Sequence, residues 1–178
     1  MLGVYNNDDA TSKMSFFMDQ SVTVAADSCQ ATPTYTVSAT VTNTLRKDQI
    51  DSLPAYVRAH QQRIPAGGDR QWVQVYGPVG GTLESVYLDG RKVVWGTSLL
   101  HRDNSNDKAT GVDVRRPAVQ GTMYGRPVGV VSITLGPGRS TTVKAVFSGT
   151  AGDSPMVTVS RTPKVRETPV TVKPATCR

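Results

Sequence analysis

The sequence is poor in cysteine, histidine and glutamate, and the shortage of cysteine and histidine argues against a zinc-stabilised domain. Its 178 residues include 2 Cys, 2 His and only two glutamates, Glu84 and Glu167. A structural zinc site needs about four Cys or His ligands at short spacings, and neither cysteine lies in a Cys-x-x-Cys pair. No apolar run reaches the roughly 18 residues that cross a bilayer. We therefore expect neither a zinc-stabilised domain nor a membrane-spanning helix in this chain.

Valine and threonine dominate the residues that are present. The chain has 25 Val and 21 Thr, with 16 Gly and 11 Pro between them. β-branched side chains lose rotamer freedom in helices but pack well on pleated sheets. From Thr34 to Asn43 apolar and hydroxyl side chains alternate, which is the period of a half-buried strand. The composition therefore predicts a mainly β protein rather than a helical bundle.

The same alternation recurs along the chain, and Asp89-Gly90 between two β runs predicts a two-residue hairpin. We predict one domain over residues 1–178, an antiparallel β-sandwich of immunoglobulin-like character with seven to nine strands and at most one or two short helices. Residues 1–20 should form a strand and a short helix, and residues 45–71 and 97–126 should form long loops. The predicted core consists of Val22, Val24, Val37, Val41, Val73, Val75, Val131, Ile133, Val143, Phe147, Val157 and Val159.

The two cysteines, Cys29 and Cys177, lie near the two ends of the β region. The simplest use of the pair is a disulfide that ties the last strand to an early one, which implies an oxidising, extracytoplasmic location. The alternative is two buried free thiols. The first residues lack the basic and apolar regions of a signal peptide. If the protein is exported, we expect this chain to be a fragment of a longer polypeptide.

Positive charge is concentrated in the second half of the chain. The net charge is +6, because residues 101–178 carry +7 and residues 1–100 carry −1. A basic half can contact an anionic cell-wall polymer, or it can be solvated charge that keeps a β protein soluble. We expect no nucleic-acid partner, because the basic residues are not interleaved with aromatic ones. The candidate basic contact surface consists of Arg115, Arg116, Arg161, Lys164, Arg166 and Lys173.

Aromatic side chains offer a second kind of binding surface. Trp72 and Tyr76 share one face of a predicted strand, opposite Val73 and Val75. If the valines face the core, these rings and Trp95 are candidates for stacking against a neutral sugar. The alternative is that the rings serve core packing and cross-strand pairing.

No catalytic constellation is evident in the sequence. A serine hydrolase of the α/β type would need a Gly-x-Ser-x-Gly elbow, which is missing. An envelope enzyme built on carboxylates such as Asp8, Asp9 or Asp103 stays open as a third hypothesis. We predict no catalytic residue, no metal site and no cofactor.

Several short stretches in a fixed order carry a resemblance to a known family. They are Gly3-Val4-Tyr5-Asn6-Asn7, Ser12-Lys13-Met14-Ser15-Phe16-Phe17-Met18-Asp19, Val41-Thr42-Asn43-Thr44, Leu53-Pro54-Ala55-Tyr56-Val57, Val75-Tyr76-Gly77-Pro78-Val79, Leu88-Asp89-Gly90 and Leu135-Gly136-Pro137-Gly138. Their order and spacing resemble the C-terminal portion of a family of actinobacterial proteins with a domain of unknown function. Those proteins have an N-terminal membrane anchor and a large extracytoplasmic part. The resemblance implies export, a cell-envelope setting and attachment to the membrane only through an upstream anchor, and it transfers no catalytic residue.

The expected function is therefore a non-catalytic module of a cell-envelope protein. Its partner would be an anionic wall polymer or another envelope protein. The alternative is a module that binds neutral carbohydrate through exposed Trp and Tyr rings.

Overall fold

The computed structural model describes residues 1–10, 12–27, 31–58, 64, 66–95, 118–152 and 157–173. Within these ranges the chain forms eleven strands and two single-turn 3₁₀ helices, at Met14–Phe17 and Lys47–Gln49. The strands are β1 (Leu2–Asp8), β2 (Met18–Asp27), β3 (Thr34–Asn43), β4 (Asp69–Tyr76), β5 (Thr82–Leu88), β6 (Arg91–Lys92), β7 (Ala118–Met123), β8 (Arg126–Leu135), β9 (Ser140–Ser148), β10 (Val159–Arg161) and β11 (Val170–Lys173).

The strands form two sheets that bury their valine faces against each other. The five-stranded sheet has the order β10-β1-β4-β8-β7, and the six-stranded sheet has the order β11-β2-β3-β9-β5-β6. The prediction of a mainly β sandwich is confirmed. Nine of the eleven strands have four residues or more, which agrees with the seven to nine expected, and the other two are short edge strands.

The predicted core is confirmed in all but its last two residues. Ten of the twelve predicted positions are buried, from Val22 in β2 to Phe147 in β9. Val157 and Val159 are only half-buried and pack against the margin of the core. The physical reason is that Val159 lies in β10, the outermost strand of its sheet, and Val157 lies just before that strand, so both have one side towards solvent.

Two strands run differently from the prediction. The expected sheets were antiparallel, but β10 pairs with β1 and β11 pairs with β2 in the parallel direction. Alternating side chains show that a strand has one buried face, and they do not show the direction in which it pairs. The C-terminal segment thus adds a parallel outermost strand to one edge of each sheet.

The loops agree with the sequence in part. Asp89 and Gly90 both have positive φ (48° and 80°), as a type I′ hairpin between β5 and β6 requires. Residues 50–58, within the predicted loop 45–71, form turns. Of the long segment 97–126, residues 97–117 lie outside the described residues, and the remainder contains β7. The middle of β7 is exposed and includes Gly121, so β7 lacks the alternation of apolar and polar residues that predicts a strand.

Replacing Val37 with Asp tests the packing directly. Val37 lies in the middle of β3 with 0% exposure, so an unpaired charge there should cost on the order of several kcal/mol and unfold a typical domain. The matched control is Ser38→Asp, because Ser38 faces outward opposite Lys144. Thermal unfolding should separate the two variants. Equal melting temperatures would show that the phase of β3 is wrong.

Candidate functional site

The candidate site begins on the outer face of β4. Val73 and Val75 point into the core, so Trp72, Gln74 and Tyr76 point away from it. In the neighbouring β1, Gly3 lies opposite Tyr76. A side chain at Gly3 would stand 2.7 Å from the Tyr5 ring, so the glycine makes room for that ring. The rings of Tyr5 and Tyr76 meet edge to face at 5.5 Å.

A third ring comes from the hairpin between β7 and β8. Met123 pairs with Arg126, which leaves Tyr124 and Gly125 as a two-residue turn with φ of 51° and 69°. A positive φ is uncommon for a tyrosine and ordinary for glycine. This backbone presents Tyr124 at the tip of the hairpin with 92% of its surface exposed.

The three tyrosines line a pocket of about 360 Å³, which we name the tyrosine pocket. Gln74, Met123 and Arg126 also line it, together with Met1, Leu2 and Gly3. The Tyr76 hydroxyl donates a hydrogen bond to Gln74 Oε1 at 2.9 Å and contacts Met123 Sδ at 3.3 Å. Burial, and then the neighbouring tyrosines, raise the pKa of Tyr76, so the hydroxyl stays neutral. The volume lies in the range of small-ligand sites.

Of the three rings predicted for stacking, the structure brings only Tyr76 into this pocket. Trp72 lies on the same face of β4 and is half-buried, but it does not line the pocket. Trp95 packs against the margin of the core, close to Gly129. Tyr5 was missed because its partner strand lies about 70 residues along the chain, and no local pattern links the two.

The predicted basic surface is divided between two parts of the chain. Arg115 and Arg116 lie outside the described residues, and Lys173 is exposed at the end of β11. Arg161, Lys164 and Arg166 line one groove of about 590 Å³ formed by residues 159–168. These three belong to β10 and to the strap, which we define as residues 162–169 between β10 and β11.

Each of the three basic side chains in this groove also interacts with the body of the protein or with its own segment. Lys164 Nζ donates a 2.9 Å hydrogen bond to the Met18 carbonyl, and Arg166 Nε lies 2.7 Å from Asp19 Oδ1. Arg161 Nη2 lies 4.0 Å from Glu167 Oε1. Burial lowers the pKa of Lys164, and the Asp19 and Asp69 carboxyls oppose that effect. These cations hold the strap, so only part of their charge is available to a partner.

The carboxylates considered for catalysis lie apart or are already engaged. Asp9 forms a 2.7 Å ion pair with Arg70, and Asp8 accepts a hydrogen bond from the Ala10 backbone N–H. Asp103 lies outside the described residues. The structure therefore assigns local structural contacts to Asp8 and Asp9.

A buried acid that sequence reasoning missed lies at the start of β4. Asp69 has 0% exposure, and its Oδ2 accepts a 2.9 Å hydrogen bond from Gln71 Nε2, whereas Oδ1 has no hydrogen-bond partner in the part of the chain that the structure describes. Gln71 in turn accepts from Asn6, and Asn6 accepts from Gln20. Burial first, and the Asp8 charge second, raise the pKa of Asp69 to about 7. The signal was present, because the inward positions of β4 continue from Val75 and Val73 back to Gln71 and Asp69.

Comparisons with known proteins show little. No protein-family model and no curated protein matches the chain. Among solved structures the chain is similar to a protein of Legionella pneumophila subsp. pneumophila str. Philadelphia 1 described as nutrient-binding, with 10% identity and a TM-score of 0.39 over 83% of this chain and 43% of that one. It is also similar to a two-domain M1 zinc metallopeptidase, with 14% identity and a TM-score of 0.29 over 78% of this chain and 22% of the other. The chain thus spans less than half of either protein, and both similarities are too low to bear on function.

Within the described ranges, no helix has both the length and the apolar character that a bilayer span requires.

Replacing Asp69 with Asn tests the buried acid. The folded protein retains a proton on Asp69 up to about pH 7, whereas the unfolded chain loses it near pH 3.8, so stability should fall as pH rises between these values. The difference between the two pKa values corresponds to about 4 kcal/mol. Asp69→Asn mimics the protonated acid and should remove this loss.

Denaturant unfolding at pH 5 and pH 8 measures the effect. The control is Asp51→Asn, since the Asp51 side chain is fully exposed. If the wild type and Asp69→Asn lose stability equally over this interval, Asp69 is not a buried titrating group.

Proposed function

We propose that this chain is a non-catalytic carbohydrate-binding module of an exported cell-envelope protein, with the tyrosine pocket as its ligand site. The observation that carries the proposal is the convergence of Tyr5, Tyr76 and Tyr124 on one pocket. The apolar face of a sugar ring packs against aromatic rings of this kind. Gln74 supplies an amide beside the rings that can hydrogen-bond to sugar hydroxyls.

The envelope setting is supported by the resemblance described above and by the arrangement of β2 and β11. These strands pair in parallel with Val170 opposite Val22 and Lys173 opposite Ala25, so every pair is 148 residues apart. Cys29 and Cys177, which lie outside the described residues, are also 148 residues apart. Adjacent strands lie about 4.8 Å apart, which is within the range of Cα separations in disulfides. Because the cysteines share the spacing of this register, we propose that they form a disulfide.

A second candidate function is contact with an anionic wall polymer through the basic half. The observation that favours it is the groove shared by Arg161, Lys164 and Arg166. Such binding would weaken steeply as salt is added, whereas stacking in the tyrosine pocket would not.

Removing single rings decides between these candidates. Tyr124→Ala should weaken retention on wall polysaccharide by about tenfold, as the loss of ~1.4 kcal/mol of ring contact implies. Tyr76→Ala should weaken it at least as much. Tyr124 is the cleaner variant, because its exposed ring contributes little to folding. Affinity electrophoresis in gels that contain the polysaccharide measures the retention.

The control is Tyr87→Ala, because Tyr87 lies on the six-stranded sheet beneath Lys144. Retention that survives both pocket variants, falls with salt and is lost in Arg161→Gln would contradict the pocket and favour the basic groove.

Thiol labelling tests the proposed disulfide between Cys29 and Cys177. The exported, folded protein should take up no thiol-alkylating label until it is reduced and two labels afterwards, as mass spectrometry records. Closing so long a loop stabilises a fold by about 5 kcal/mol in the chain-entropy model, so reduction should also lower the melting temperature. Two labels on the folded, unreduced protein would rule out the disulfide.

A further inference from the structure

Among the described residues, Arg126 has the one charged side chain that lines the tyrosine pocket. It begins β8, directly after the hairpin that carries Tyr124. Its Nη1 donates to the Met1 carbonyl at 2.6 Å and to the Gly77 carbonyl at 3.1 Å. Both hydrogens of Nη1 are thus used, and the two carbonyls fix the plane of the guanidinium.

The remaining edge of this guanidinium is free within the described part of the chain. Nε–H and one Nη2–H point along one side of the group, where the two donors match the two oxygens of a carboxylate. Other arginines have acidic partners: Arg70 pairs with Asp9, and Arg166 pairs with Asp19. Among the described residues no carboxylate pairs with Arg126, and no acidic residue lines the pocket.

We infer that the tyrosine pocket selects a sugar that carries a carboxylate, with Arg126 as the specificity-determining residue. This inference rests on the proposed function, because the tyrosine rings bind the sugar ring and Arg126 binds its carboxylate. In a uronic acid the carboxyl group is bonded to the sugar ring itself. A ring packed on the tyrosines therefore places that carboxyl within the same pocket, next to the fork of Arg126.

A pair of sugars that differ in charge, and otherwise only in the methyl groups of the esters, isolates this contact. The probes are trigalacturonate and its fully methyl-esterified form, titrated calorimetrically into the whole chain at low ionic strength. The wild type should bind the acid about ten- to a hundredfold more tightly than the ester, as expected for a hydrogen-bonded charge pair. Arg126→Gln should lose that preference and bind both probes as the wild type binds the ester.

Two further variants serve as controls. Arg126→Lys retains the charge but not the fork, so it should keep only part of the preference and show that the variants fold. Arg91→Gln removes an equal charge from the exposed β5–β6 hairpin and should keep the full preference.

The outcomes separate the inference from the proposed function. Equal binding of acid and ester by the wild type overturns the inference but leaves carbohydrate binding intact. An acid preference that survives Arg126→Gln also overturns it and assigns the charge contact to another residue. Binding of neither probe overturns it as well, and the retention experiment on the tyrosine variants then judges the proposed function separately.

Discussion

The alternation of side chains along β4 is the constraint on which the rest of the structure depends. Val73 and Val75 face the second sheet with no exposure, so Gln74 and Tyr76 must face outward. A slip of one residue would move the valines into solvent and the aromatic rings into the core. The burial that stabilises the sandwich therefore also fixes the wall of the tyrosine pocket. The inward face of β4 stabilises the fold, and its outward face forms part of the candidate site.

The same alternation of inward and outward side chains explains why one end of the sandwich interior is polar. The inward positions of β4 continue through Gln71 to Asp69, and they meet Asn6 of β1 and Gln20 of β2 in a chain of side-chain hydrogen bonds. Buried polar groups are tolerated when they are paired, and most of these are. In this chain Gln20 Oε1 and Asp69 Oδ1 have no hydrogen-bond partner among the described residues, and the unpaired Asp69 oxygen makes the ionised form of this acid costly inside the fold.

Local patterns predicted the parts of the molecule that local physics determines. Alternation gave the ten buried core positions, and Asp89-Gly90 gave a hairpin because both residues accept positive φ. The tyrosine pocket was not predictable in the same way. Tyr5, Tyr76 and Tyr124 come from distant segments, and only strand order brings them together. The parallel edge strands were missed because side-chain period carries no information about strand direction.

The basic half of the chain contributes cations to two different places on the surface. Lys164 and Arg166 bind the strap to the body, whereas Arg126, which pairs with no carboxylate among the described residues, lines the tyrosine pocket. The most direct test of the account is a map of backbone amide chemical shifts during titration with trigalacturonate. We predict changes centred on Tyr5, Gln74, Tyr76 and Tyr124. Changes confined to the strap, with the outer face of β4 undisturbed, would contradict the account.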